Sequence, residues 1–84
     1  MDKREFQNLV SKLNKDEIIE VSYKSDISKV RITELLYFRS HRRFNWLDCY
    51  REPADESNTM PHDYVAIPHE RIYKIQNLRF KNWK

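Results

Sequence analysis

Phe6, Leu9, Val10 and Leu13 fall at i, i+3, i+4 and i+7, and Lys3, Arg4, Gln7, Asn8 and Lys12 take the other faces. That spacing is the apolar stripe of an amphipathic helix. It predicts a helix over residues 3–14, with Asp2 and Glu5 spaced as a capping box and Asn14 as its stop. From Glu17 the period changes to two. Ile19, Val21 and Tyr23 alternate with Glu20, Ser22 and Lys24, a strand over 17–24 with one buried face. A second strand is predicted over 28–38, with Val30 and Ile32 inward and Glu34 to Phe38 extending or bending it, and a third over 44–51, apolar on both faces. Pro53 ends the third.

Residues 52–63 hold two prolines, four acids and no periodicity, the composition of a mobile loop. Tyr64 to Ile67 reads as a fourth strand stopped by Pro68. A 3₁₀ turn then leads into a fifth strand over 72–83, where Leu78-Arg79-Phe80-Lys81-Asn82-Trp83 alternates again. No repeat or linker interrupts the pattern, so the expectation is a single α+β domain over residues 1–84, one helix packed on a five-stranded antiparallel, barrel-like sheet. Its expected core is Phe6, Leu9, Val10, Leu13, Ile19, Val21, Val30, Ile32, Val65, Ile67, Ile72 and Ile75.

Composition narrows the chemistry. With 84 residues, 35% of them charged, the core must be small, although 13% aromatics are enough to fill one. The longest apolar run, Leu35 to Phe38, is far below the ~20 residues of a membrane span, and the first residues lead into no signal core, so no membrane partner is expected. A single cysteine, Cys49, makes no internal disulfide and no zinc site by itself, which points to the reducing cytoplasm or nucleus. Glycine is absent, and this excludes phosphate-cradling loops of the Walker and dinucleotide types. It also hands positive-φ turns to Asn and Asp, at Asn14-Lys15-Asp16, Ser25-Asp26, Ser57-Asn58 and Gln76-Asn77. No cofactor is implied.

Catalytic and metal-binding patterns are thin. His41, His62 and His69 open no His-x-Thr/Ser pair, which excludes the two-histidine phosphoesterases, and with Cys49 they show no metal-ligand spacing. Asp48 is the one carboxylate set inside a strand, where an edge position or a partner arginine explains it without catalysis.

The net charge of +3 hides a strong segmentation. Residues 1–38 sum to zero, 39–43 contribute +3, 48–70 contribute −5, and 71–84 contribute +5 with no acid among them. Arg39, Arg42 and Arg43 are bracketed by Phe38, Phe44 and Trp46, while Arg71, Lys74, Arg79, Lys81 and Lys84 interleave with Tyr73, Phe80 and Trp83. Cations beside rings suit single-stranded nucleic acid, because the cations neutralise phosphates while the rings stack on unpaired bases. The expected RNA-binding residues are Arg39, Arg42, Arg43, Arg71, Arg79 and Lys81, with Tyr23, Trp46 and Trp83 as stacking surfaces.

Ile67, Pro68, Arg71, Ile72, Ile75 and Trp83 follow a recognisable order: an Ile-Pro, an Arg-Ile shortly after, a further isoleucine and a terminal tryptophan. In this the chain resembles the RNA cyclic-group-end-recognition domains, with Glu20-Val21-Ser22-Tyr23 where that family has a strand ending in Tyr. It departs from them at Lys24-Ser25-Asp26, where the family has a basic residue and Gly, and at Glu70, where it has His. The resemblance implies a non-catalytic domain that recognises RNA 3′ ends bearing a phosphate or 2′,3′-cyclic phosphate and accompanies RNA-processing enzymes. Arg71 would hold the phosphate, and Tyr23 or Trp83 the last base. Leu47-Asp48-Cys49-Tyr50-Arg51 with Arg71-Ile72 more loosely resembles the Sm-like ligand-sensing domains of the WYL type. Both resemblances imply a small SH3/Sm-like fold that holds a phosphate-bearing ligand with arginines. Alternatives of another class stay open: an adaptor whose basic patches take an acidic protein, or a sensor of a small phosphate-bearing ligand.

Overall fold

The computed structural model describes residues 1–52 and 64–78. Most of the expected mobile loop, the Ser57-Asn58 turn and the end of the fifth strand, with Arg79, Lys81 and Trp83, lie outside these residues.

Helix α1 spans Lys3–Val10, and the Asp2 carboxylate caps it by accepting the Glu5 N–H at 3.1 Å. It ends before the stripe does. After Val10 the backbone tightens, with Lys12 N–H donating to Leu9 and Leu13 N–H to Val10, each at 3.2 Å. Phe6 and Val10 are buried, and Leu9 and Leu13 pack at the core margin.

The strands are β1 (Ile18–Lys24), β2 (Arg31–Arg42), β3 (Trp46–Tyr50), β4 (Tyr64–Pro68) and β5 (Ile72–Asn77), with a 3₁₀ turn at His69–Arg71. All pair antiparallel in the order β4-β3-β2-β1-β5. Among the described residues no ladder joins β4 to β5, so the sheet is not closed into a barrel. Pro68 is tolerated because β4 is an edge strand. The Met1 amino group donates to the carbonyls of His69, at 3.1 Å, and Ile72, at 2.6 Å. Phe6 stacks on the His69 ring, which ties the start of the helix to the 3₁₀ turn. Among the described residues no helix is long and apolar enough to cross a membrane.

Strand β2 departs most from the sequence reading. Residues 28–30 belong to the preceding turn, and Val30 is 56% exposed instead of buried. At its other end β2 runs on through the basic stretch to Arg42. A bulge between Phe38 and Ser40 reverses which side chains face inward: Leu36 and Phe38 are buried before it, and His41 pairs with the buried Leu47 after it. Tyr23, Leu36, Phe38, Leu47 and Cys49 complete the core that the periodicity only partly outlined.

The positive-φ turns also differ. Asp16 (φ 69) is where an Asp was expected, but Lys29 (63), Arg43 (51) and Phe44 (57) hold the other three described positions, and Gln76-Asn77 is strand. Arg43 and Phe44 are the two central residues of the β2–β3 turn, closed by Asn45 N–H to the Arg42 carbonyl at 2.8 Å. Two positive φ values mark the tight hairpin geometry that Asn-Gly normally supplies. Phe44 is held there by its stack on His41, ring centroids 4.0 Å apart, and by packing against the core, whereas Arg43 is exposed. Arg43→Asn should therefore raise stability by about 1 kcal/mol. A urea midpoint that stays put or falls would contradict this.

Candidate nucleic-acid interface

The register that pairs Tyr23 with Ile72 brings the end of β1 beside the 3₁₀ turn, so Arg71 lies next to the β1–β2 turn. That turn is closed by Ser25 N–H to Val30 O at 2.8 Å and Lys29 N–H to Ser25 O at 3.0 Å. Between it and β4 opens a cleft of about 240 Å³, lined among others by Tyr23, Asp26, Arg51, Tyr64, Ile67 and Arg71. Each of its guanidiniums meets a carboxylate. Arg71 bonds Asp26, whose other neighbour is Lys29 Nζ at 3.6 Å. Arg51 grips Glu34 through Nε at 2.8 Å and Nη2 at 3.4 Å, and the Tyr23 hydroxyl donates to the same carboxylate.

These contacts set the protonation states. Burial first, and the bond to Glu34 second, push the Tyr23 hydroxyl up to about 12. Burial alone would raise Glu34, but the hydrogen bonds from Arg51 and Tyr23 outweigh it and hold the carboxyl below its usual range. The bond from Arg71 does the same for Asp26.

A second cluster lies on the sheet's outer face. Ser40 and Asp48 pair across β2 and β3, Arg42 pairs with Trp46, and Ala66 lies opposite Asp48 on β4. Asp48, 5% exposed, accepts from Arg42 Nε (3.1 Å) and Nη2 (3.3 Å), Tyr64 OH (2.6 Å) and Ser40 Oγ (3.4 Å). The partner arginine expected for this carboxylate is Arg42. Its guanidinium also sits 5.4 Å from the centre of the Trp46 ring, and that of Arg39 sits 5.9 Å from Tyr50. Tyr50 meets Tyr64 edge-on at 5.8 Å. The result is a row of rings and planar cations along β3.

The residues singled out in the sequence thus divide into two groups. Arg39, Arg42, Arg43 and Trp46 lie along β2, β3 and their turn; Arg71 and Tyr23 line the cleft. Tyr64 stands between them, bonding Arg42 at 3.2 Å and lining the cleft as well. The Tyr23 ring is buried and its hydroxyl is taken, so it forms cleft wall and not an open stacking face; Trp46, 40% exposed, offers one.

Sequence reasoning gave Tyr64 and Asp26 no site role and reached Tyr50 and Arg51 only within the looser resemblance. Arg51 is the one arginine or lysine between Asp48 and Glu70, in a segment whose charge is otherwise acidic. His69 is structural, with Nδ1 2.9 Å from the Met1 carbonyl oxygen, and burial pushes the Cys49 thiol up to about 12. No family model matches this chain, and no match is found among curated proteins or solved structures.

Proposed function

We propose that this protein is a non-catalytic RNA-binding domain that seats a phosphate-bearing RNA 3′ end in the cleft between the β1–β2 turn and β4. The observation that carries this reading is the meeting of Arg51, Arg71 and Tyr23, from three separate parts of the chain, in one cleft. Planar guanidiniums grip phosphate oxygens bidentately, which a terminal phosphate allows from several sides. The outer-face row of Arg39, Arg42, Trp46 and Tyr50 supplies rings for the unstacked bases upstream. The Ile67-Pro68 to Ile75 resemblance supports the same reading, and so does the curl of the sheet. Residues of β1 and of β4, three strands apart, line one cleft, and this favours an SH3/Sm-like barrel-type fold. The expected setting is cytoplasmic or nuclear RNA processing, with Cys49 reduced.

The test is a single-stranded oligonucleotide ending in a 3′-hydroxyl, a 3′-phosphate or a 2′,3′-cyclic phosphate. The 3′-phosphate end should bind about tenfold more tightly than the 3′-hydroxyl, a difference of about 1.4 kcal/mol, and Arg71→Ala should abolish that preference while Lys3→Ala on the exposed helix face leaves it intact. Affinity should also fall with salt as counterions are released. Equal affinity for all three ends, or salt-independent binding, would overturn the reading.

A further inference from the structure

The β1–β2 turn carries its own anion into the cleft. Asp26 bonds Arg71 and lies 3.6 Å from Lys29 Nζ, so one carboxylate occupies two cations. It is poorly fixed there. The Asp26 side chain is 69% exposed, and its neighbour Ile27 is 94% exposed and anchors nothing. An ion pair this open to solvent is weak. The carboxylate on the other guanidinium differs in kind. Glu34 faces the sheet interior, is 23% exposed, and is clasped by both Arg51 and Tyr23. Of the two, Asp26 is the one that can leave.

We infer that Asp26 is an internal stand-in for a ligand's phosphate monoester: it occupies Arg71 in the free protein and yields that place, and Lys29 with it, when the ligand arrives. The inference rests on the anion-binding reading of the cleft and adds the class of phosphate it takes. A monoester carries about −1.5 to −2 charges and three strong acceptor oxygens near neutral pH, against the single charge of a carboxylate. It gains more from Arg71 and Lys29 together than Asp26 gives up. A diester has one charge, equal to that of the carboxylate it would displace, and gains little. Displacement therefore selects a terminal phosphate over the internal phosphates of the same strand.

Inorganic phosphate at about pH 8, where it is mainly a dianion, and dimethyl phosphate, a diester monoanion, provide the test. Each is titrated into the native protein, Asp26→Asn and Arg71→Ala, and the side-chain N–H signal of Arg71 is followed by NMR in the first two. Asp26 is solvent-exposed, so its substitution leaves the fold intact. The native protein should bind inorganic phosphate more tightly than dimethyl phosphate. Asp26→Asn should tighten inorganic phosphate about fivefold, the effect of opening a site that Asp26 holds closed most of the time, and Arg71→Ala should lose it. Unchanged or weaker binding in Asp26→Asn, or the same tightening when Arg71→Ala is added, would overturn the inference. An oligonucleotide that fails to bind while inorganic phosphate behaves as expected would remove the RNA reading and support the displacement. End-selective RNA binding that Asp26→Asn leaves untouched would do the reverse.

Discussion

The urea midpoint of this domain should hold level up to pH 9, fall from there as the unfolded Cys49 begins to ionise, and fall faster above pH 10. Three groups act in the same direction. Tyr23 and Tyr64 ordinarily ionise near 10 and are pushed up to about 12, burial being the larger cause and the bonds to Glu34 and Asp48 the second; burial raises Cys49 from 9 to about 12. Above these ordinary values the unfolded chain gives up protons that the folded one retains. The unfolded state then binds fewer protons, and stability falls as pH rises. Their contribution is fully present below pH 9 and is lost on the way to 12. Each group contributes a slope of up to about 1.4 kcal/mol per pH unit, less for the half-buried Tyr64. Two units of that combined slope, up to about 8 kcal/mol, remove most of the stability of a domain with about 5–10 kcal/mol in hand. Tyr23→Phe should flatten the steep part, and Cys49→Ala should remove the first decline. A midpoint unchanged beyond pH 10 would refute the account.

Phe6→Ala should cost about 3–5 kcal/mol, the range for emptying a fully buried aromatic site. Phe6 is 0% exposed, and its ring stacks on His69 at 5.9 Å. Helix α1 has eight residues, too few to hold together in water without a packed face. Removing the ring should therefore free the helix from the 3₁₀ turn as well as open a cavity. Loss of helical circular dichroism reports the first effect and the urea midpoint the second, with Asn8→Ala on the exposed face as the control. A loss below about 1 kcal/mol would mean that the helix is not part of the cooperative unit.

The elements legible in the sequence are those whose burial follows one period. Phe6 and Val10 on the helix and Ile19 and Val21 on β1 are buried as their spacing predicts, and the Ile67-Pro68 stop and the 3₁₀ turn after it lie where the chain places them. Where two causes compete, the period misleads. Val30 alternates correctly with Ile32 but falls in a turn, because the chain from Ser25 to Val30 closes on itself through backbone bonds that leave no trace in hydropathy. Leu47 and Cys49 are buried on one face while Trp46 and Tyr50 share the other with Asp48, so β3 reads as apolar on both faces; Arg42, Ser40 and Tyr64, from neighbouring strands, make the carboxylate tolerable. The cleft was half legible. The family resemblance sets Arg71 and Tyr23 on one ligand, but Arg51 joins them only through the pairing of strands distant in sequence, and Asp26 only through the path of a turn.

The bulge at Arg39 works as a phase shift in β2. Ahead of it the even-numbered positions supply the core; beyond it the even-numbered Ser40 and Arg42 carry the outer polar face. One strand therefore serves two layers, and each half tolerates change without forcing change on the other. Register does not enjoy that freedom. Drawing Arg39 into the ladder opposite Asp48 would turn Ser40 and Arg42 inward, with Ser40 at Leu47, aim His41 at solvent and strand Asp48 without its cation. The outer face thus depends on one residue staying out of the pairing.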